Sequence, residues 1–399
     1  MTRISADILI SGGGVAGLTA AAAFGTLGFS VLCADPTPPV TTAEAEGADL
    51  RTTAFLQPSI PVLEAAGLWD RLAPHAAALQ IMRIVDAGGE VAEPRVIKDF
   101  DAADLSDKPF GWNLPNWLLR REMLARLGDL PNVTFLPGIA TTALLTREAE
   151  AIVSLSDGRK INAKLVIAAD GRHSTMRQAL GIPVKTIRYG QKAVTFAVNH
   201  PIPHNNVSTE IHRSGGPFTL VPLPDRNGLP CSAVVWMETG PEAQRLSALP
   251  VPEFQAAINA RSCQILGPLT LASRRTIWPI IAQIAARMSG ERTALMAEAA
   301  HVVPPIGAQG LNMSLTDLAT LLDLAQADPA QIGSAKMLET YHRRRHFDVQ
   351  ARVTGIDALN RASMIEGQFL RDLRAGALNM FYSVAPVRKS LMKAGLGLR

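Results

Sequence analysis

Residues 6–35 read Ala6-Asp7-Ile8-Leu9-Ile10-Ser11-Gly12-Gly13-Gly14-Val15-Ala16-Gly17, then a run of small residues from Leu18 to Phe29, then Ser30-Val31-Leu32-Cys33-Ala34-Asp35. From Ile8 to Ala34 no residue is charged, a stretch of 27 residues that is long enough to cross a bilayer. Gly12, Gly13, Gly14, Gly17 and Gly25 interrupt it, and a spanning helix disfavours three glycines in a row. A secretory leader fits no better, because Arg3 alone is a poor basic flank and acidic Asp7 follows it. The stretch instead reads as strand, turn, helix and strand, all buried. Ala6–Ser11 is a short β-rich run, the look of a strand covered on both faces. Gly12-x-Gly14-x-x-Gly17 turns it into a small-residue helix ending near Gly28. A second strand, Ser30–Ala34, closes on Asp35, 23 residues after Gly12.

Each part has a physical task. Gly12 permits the tight turn, Gly14 lets a pyrophosphate approach the backbone, and Gly17 lets helix and strand pack closely. The helix N-terminus offers unpaired N–H groups and the positive end of its dipole to phosphate. Asp35, at the end of the second strand, is placed to accept hydrogen bonds from a ribose. A dinucleotide site follows. The loop alone does not distinguish a nicotinamide from a flavin nucleotide.

The rest of the 399 residues bounds the class. With 47% hydrophobic and 19% charged residues the chain is globular, and its length suits two domains. Cys33, Cys231 and Cys263 are far apart, with no CxxC pair, and read as buried residues of a reducing compartment. The net charge of +4 tolerates an anionic cofactor or membrane surface but falls short of a nucleic-acid signature. His342 and His346 have metal-ligand spacing, but Arg343, Arg344 and Arg345 lie between them and no Glu follows the first; a solvated helix face and no metal site is expected. His200-Pro-Ile-Pro-His204 reads as a turn. There is no GxSxG elbow and no phosphate-loop lysine.

Three further stretches carry a resemblance. Asp49-Leu-Arg51-Thr-Thr-Ala54 runs into Leu63-Glu-Ala-Ala-Gly-Leu-Trp69. Leu165-Val-Ile-Ala-Ala-Asp170-Gly171-Arg-His-Ser174-Thr-Met-Arg177 is a strand, a turn and a helix start. Ala297-Glu298-Ala-Ala-His301-Val-Val-Pro304-Pro305-Ile-Gly307-Ala-Gln309-Gly310-Leu311-Asn312 leads into an amphipathic helix, Ser314–Leu324. In this order they resemble the group A flavoprotein monooxygenases, and most of all the ubiquinone-biosynthesis hydroxylases. Gly111-Trp-Asn-Leu-Pro-Asn116, Tyr189-Gly-Gln191, Gly216-Pro217 with Leu220-Val-Pro-Leu223, and Tyr341 with Arg345 support the narrower match. It covers about residues 4 to 376.

The resemblance implies an α/β fold like that of p-hydroxybenzoate hydroxylase: a Rossmann-like FAD-binding domain (1–75, 105–178 and 277–325) interleaved with a substrate-binding β-sheet domain (76–104 and 179–276, with strand-like runs Ala193–Val198 and Ser232–Met237) and a helical C-terminal region (326–399). It implies FAD as cofactor, with NADPH or NADH as reductant, on Gly12, Gly14, Gly17, Asp35, Arg51, Asp170, Gly171, Glu298, Gly310, Leu311 and Asn312. Arg51 would pair with the pyrophosphate through its bidentate fork. Asp170 would touch the ribityl or pyrophosphate region while Arg177 holds the turn; an Asp-Gly turn with a helix cap at Ser174 accounts for the same residues physically. Pro305, Gly307, Gln309 and Gly310 would set backbone amides against the flavin ring, with a helix dipole stabilising its reduced anion. No side-chain base is assigned. The sequence departs from the family at Ala297-Glu298, where Gly-Asp is usual. His301 has two readings: the resemblance implies a place near the flavin, and the residues alone suit a loop histidine satisfied by backbone carbonyls.

The implied reaction is hydroxylation of an aromatic ring carbon of a polyprenyl phenol by O2, through a flavin C4a-hydroperoxide. A hydroxylase of a small soluble aromatic and a flavin-free lipid-binding or scaffold relative are the alternatives. Val384–Arg399, with Arg388, Lys389, Lys393 and Arg399 among Leu391, Met392, Leu396 and Leu398, suits an anionic membrane surface and equally a solvated terminus. The lipid-borne substrate tips this towards a cytoplasmic protein with peripheral contact at the inner face of the membrane, alongside other ubiquinone-biosynthesis proteins. No nucleic-acid partner is expected.

Overall fold

The computed structural model describes residues 4–89, 91, 93–213, 215–364 and 382–397. Two large sheets dominate them. In the first, the strands Ser289–Gly290, Thr293–Leu295, Lys160–Ala168, Ile4–Ser11, Val31–Asp35 and Val133–Pro137 lie side by side in that order. The pairs around Ile4–Ser11 are parallel, with Ile8 opposite both Leu165 and Val31. A parallel sheet needs helical crossovers that cover its faces. Helix Val15–Thr26 provides the first, and Ala16–Gly25 are all buried. Its alanines let it pack closely on all sides, so it needs no polar face. The opening stretch is therefore a buried unit and not a membrane span. Full burial of Ile8, Leu9 and Ile10 contributes about 1.5–3 kcal/mol each relative to exposure. Among the described residues no helix is long and apolar enough to cross a membrane.

The second sheet is mostly antiparallel. Its order is His301–Val302, Thr276–Ala285, Val184–Asn199, Leu229–Thr239, Pro217–Arg226, Val207–His212, Ile81–Asp86 and Val96–Asp101. One face is apolar, with Val85, Val194, Phe196, Ile211, Phe218, Leu220 and Trp236 packed against Phe254 and Ile258 of helix Val251–Arg261. The opposite face turns towards the first half of the molecule. A three-stranded sheet (Thr52–Leu56, Gly111–Pro115, Ala77–Leu79) joins the two halves, and Asn113 donates to the Pro222 carbonyl at 2.9 Å.

Boundaries differ from expectation in two places. Strand Thr276–Ala285, placed by sequence in the nucleotide-binding part from residue 277, pairs along Val184–Asn199 and belongs to the second sheet. Ala77–Leu79, placed in the substrate part, belongs to the connecting sheet. An apolar run states its burial but not its partner strand. The C-terminal region is helical as described, with Ala335–Ser363 and Ala385–Leu396; Leu398 and Arg399 lie outside the described residues.

Candidate active site

The glycine turn has the shape its spacing requires. Gly12 has φ +106°, and a Cβ there would stand 2.3 Å from the Ala169 carbonyl oxygen. A Cβ on Gly17 would stand 1.9 Å from the Gly12 oxygen, so helix and strand meet too closely for any side chain. Above Gly14 the space is open, with nothing within 4 Å of a built Cβ. Helix Val15–Thr26 has no side-chain cap and no acid in its first turn, which leaves its first N–H groups facing that space. Asp35 accepts from the Gly13 N–H at 2.6 Å and from the Thr37 N–H at 2.8 Å.

Asp170 and Gly171 follow strand Lys160–Ala168 beside this turn. One Asp170 oxygen accepts from the Met176 N–H at 3.2 Å; the other is buried and has no partner. An orphaned buried carboxylate oxygen next to an open phosphate cradle fits a ligand donor there. Ser174 caps its helix by accepting from the Arg177 N–H, and buried Arg177 ties the turn to the Ala299 and Arg172 carbonyls. The cap rests on Ser174 and leaves this Asp170 oxygen without a partner.

Arg51 forms a bidentate pair with Asp49, with Nη2 at 2.7 Å, and lies over the Trp278 ring at 4.3 Å. Burial opposes the Asp49 charge, but the hydrogen bonds and charge of Arg51 outweigh it and hold the carboxyl below its ordinary pKa. Glu298 is half-exposed and faces Arg172 at 3.4 Å. Ala297 adopts φ +54°, the left-handed region that favours the glycine usual there. The departure from Gly-Asp therefore has a backbone cost.

The third stretch begins its helix earlier than expected. The helix spans Gln309–Ala327, not Ser314–Leu324, so Gln309, Gly310 and Leu311 form its first turn, entered through Ala308 at φ +55°. Pro305, Gly307 and Gly310 are exposed on the outer side of this corner. The helix start has no side-chain cap and no acid in its first turn, again a positive helix end facing outwards. Two side chains expected near the flavin are engaged by protein. Gln309 donates to the carbonyls of Gly307 and Gly395, which docks the C-terminal helix. Asn312 accepts from the Leu56 N–H and Ser59 hydroxyl and donates to the Ala54 and Ala308 carbonyls. It clamps the helix to strand Thr52–Leu56.

His301 corrects its sequence reading most clearly. It is buried, and its Nε2 lies 2.7 Å from Asp317 Oδ2, not on a backbone carbonyl. Arg345 Nε holds the other oxygen at 2.7 Å. Burial of Asp317 works against its charge, yet His301 and Arg345 outweigh that and keep its pKa low. Arg345 is also no part of a solvated face; only its neighbours Arg343 and Arg344 are. Asp317 was missed because a lone helical aspartate carries no sequence signal. His342 accepts from the Met288 N–H at 3.2 Å, and His200 and His204 bond locally to Ile202, Ser232 and Leu223.

Opposite this corner stands the free face of the second sheet. Ile306 packs with Ala193, Met237 and Ile280, and Val235 and Tyr189 border the cluster. One cross-strand row of that face is Glu210, Thr219, Val235, Thr195 and Thr276. Apart from Glu210 these side chains are only half-buried. The proline loop thus meets this face of the sheet through Ile306.

A glycine cradle with an orphaned aspartate and an uncapped helix end define a dinucleotide-binding protein. The profile of the FAD binding domain family matches residues 5–355. Ubiquinone hydroxylase UbiL of Rhodospirillum rubrum is 32% identical, over 98% of this chain and 90% of its own. The 3-demethoxyubiquinol 3-hydroxylase of Escherichia coli is 27% identical over the full length of both, and human ubiquinone biosynthesis monooxygenase COQ6 is 26% identical over 97% and 91%. The chain belongs to the ubiquinone-hydroxylase family of FAD-dependent monooxygenases. The same fold occurs in p-nitrophenol 4-monooxygenase PnpA of Pseudomonas putida, with a TM-score of 0.80 at 20% identity over all of both chains, and in PqsL of Pseudomonas aeruginosa, at 0.77 and 23% over 94% and 100%.

Proposed function

We propose that this chain hydroxylates a ring carbon of a polyprenyl phenol, with O2 as oxygen source and NADH or NADPH as reductant. The observation that supports the reading is the half-buried face around Val235, Thr219 and Thr195, which the Pro304–Gly307 corner meets through Ile306. Its alternating rows suit an amphipathic substrate. Beside the row Glu210–Thr219–Val235 runs an apolar one, Val221–Ala233–Ala197, suited to a prenyl tail.

Bound FAD supplies the electrons that activate O2 for transfer of one oxygen atom to the ring. The chain supplies the rest. Gly12, Gly14 and Gly17 with helix Val15–Thr26 would hold the pyrophosphate, and Arg51 would add charge on exchange of its Asp49 partner. Asp35 would take the ribose and the free oxygen of Asp170, at the Gly171 turn, a hydroxyl; Glu298 would replace the usual aspartate. The amides of Gly310, Leu311 and Asn312, at the positive end of their helix, would stabilise negative charge on the ring system. Ile306 would exclude water from one side of the substrate site and the sheet from the other.

The exposed Val384, Val387 and Leu391, beside exposed Lys389 and Lys393, support peripheral contact with an anionic membrane. Met392 and Leu396 take no part in that, being buried against the body. Quinone profiling of a deletion strain tests the substrate. An accumulated prenylated phenol lacking one hydroxyl is expected, and an unchanged quinone profile would refute the assignment.

A further inference from the structure

Helix Ala385–Leu396 is held to the body along one line. Only Met392 and Leu396 are buried, four residues apart, with half-buried Arg388 one turn before them. That row is narrower than the apolar stripe by which a surface helix usually packs. Its two ends meet different halves of the molecule. At the start, Arg388 pairs with Asp104 at 3.1 Å. Tyr382, just before the helix, donates to the Asp99 carbonyl and packs edge-on against Phe100, on the edge strand Val96–Asp101 of the second sheet. At the finish, the Gly395 carbonyl accepts from Gln309 at 2.7 Å. Arg352 donates to the same Gln309 and lies so close to Gly397 that a Cβ there would stand 2.7 Å from its guanidinium. A cation at that place complements the negative end of the helix dipole. The helix is a strap from the outer edge of the second sheet to the first turn of helix Gln309–Ala327.

Beneath the finish lies a cavity of about 150 Å³, lined by Leu56, Val62, Asn312, Met313, Leu396 and Gly397 among others. The last residues of the strap form one of its walls, so moving them opens it. The strap also carries more apolar surface than the body covers. At about 100° per residue, the exposed Val384, Val387 and Leu391 lie beside the Arg388–Met392–Leu396 row, and together they take up about half of the circumference. Lys389, Ser390 and Lys393, all exposed, occupy the other half. A helix of 12 residues is marginal alone in water, so the body or another apolar phase must hold it. Met392 and Leu396 lose no burial on passing from protein to lipid, whereas Val384, Val387 and Leu391 gain it. Lys389 and Lys393 are attracted to anionic headgroups.

We propose that contact with an anionic lipid surface lifts this strap off the body and so frees the corner at Gln309. This rests on the peripheral-contact reading above, which uses the exposed residues alone; release adds Met392 and Leu396 to the lipid-facing side. Gln309 then loses the Gly395 carbonyl, Arg352 loses the helix end, and the cavity beside Asn312 opens. The corner is held closed in water and loosened at the lipid surface.

Hydrogen exchange of the FAD-loaded full chain, read by mass spectrometry, tests this. The probes are vesicles of phosphatidylglycerol and phosphatidylcholine in equal parts, and of phosphatidylcholine alone. On the anionic vesicles residues 309–316 should exchange about fivefold faster, the effect of one lost hydrogen bond; phosphatidylcholine alone should leave them unchanged. Met392→Ala with Leu396→Ala should give the faster exchange without any vesicle. Val387→Asp with Leu391→Asp changes only exposed side chains, and it carries the test if the alanine pair does not fold. It should keep the wild-type exchange in solution and lose both vesicle flotation and the change at 309–316. Flotation with residues 309–316 at their solution rate, or slower, overturns the strap and leaves peripheral contact standing. An equal response to the two vesicles overturns the anionic requirement, and no flotation with either overturns peripheral contact along with the strap.

Discussion

Two histidine–carboxylate pairs in this molecule share one geometry and differ in everything around it. His301 with Asp317 and His212 with Glu210 both close at 2.7 Å through Nε2, and both leave Nδ1 buried and unpartnered. Asp317 has a second cation, Arg345, and no exposed surface; it ties helix Gln309–Ala327 to helix Ala335–Ser363. Glu210 and His212 lie on the face of the second sheet away from helix Val251–Arg261, and each keeps a little exposed surface. Hydrogen-bond geometry does not separate a sealed pair from one that keeps some solvent contact. What closes the far side does.

The largest expected effect breaks the closed pair. Asp317→Asn leaves buried Arg345 with only the partly exposed Asp348 as counter-ion and should cost about 3–5 kcal/mol in urea unfolding. The corresponding Glu210→Gln should cost less, because both side chains of that pair keep a little solvent contact, 14% for His212 and 11% for Glu210. Comparable losses at both positions would erase the distinction. Acid sharpens it. The folded pKa of Asp317 is lowered, so its contribution is complete above the ordinary aspartate range, about 3.9, and is lost as pH falls through the lower folded value. Wild-type stability should therefore fall below about pH 4, and less steeply in Asp317→Asn.

Smaller effects follow at the corner itself. Gln309→Ala removes the hydrogen bond to Gly395 and should loosen the C-terminal helix by about 1 kcal/mol, seen as faster proteolysis near residue 385. Ala297→Gly relieves a left-handed alanine and should raise the melting temperature slightly, by about 1 kcal/mol of stability. A loss at that position would mean the methyl packs favourably.

The sequence showed these regions unequally. The first sheet was legible because local patterns encode it: a glycine turn, small-residue helix and closing acid lie within 30 residues and need no distant partner. Gly17, Asp170 and the Ala297 departure were found for that reason, and the backbone angle at Ala297 supplies the physics of the last. The second sheet was only partly legible. Ala193–Val198 and Ser232–Met237 were seen inside longer strands, but Thr276–Ala285 went to the wrong side because apolar alternation does not name a partner. Long-range contacts were out of reach. Asp317 meets His301 and Arg345 across 16 and 28 residues, and only packing brings them together. The Glu210-x-His212 spacing was there to be read, yet it becomes informative only once Val207–His212 is known to be a strand with Ile211 facing inwards.

The most direct test of the central claim is ¹⁸O incorporation by the purified FAD-loaded protein, supplied with NADH or NADPH, ¹⁸O2 and a prenylated phenol. One ¹⁸O atom in each hydroxylated product is the predicted result. Flavin-loaded protein that is reduced and reoxidised in the presence of the phenol, yet yields no labelled product, would contradict it.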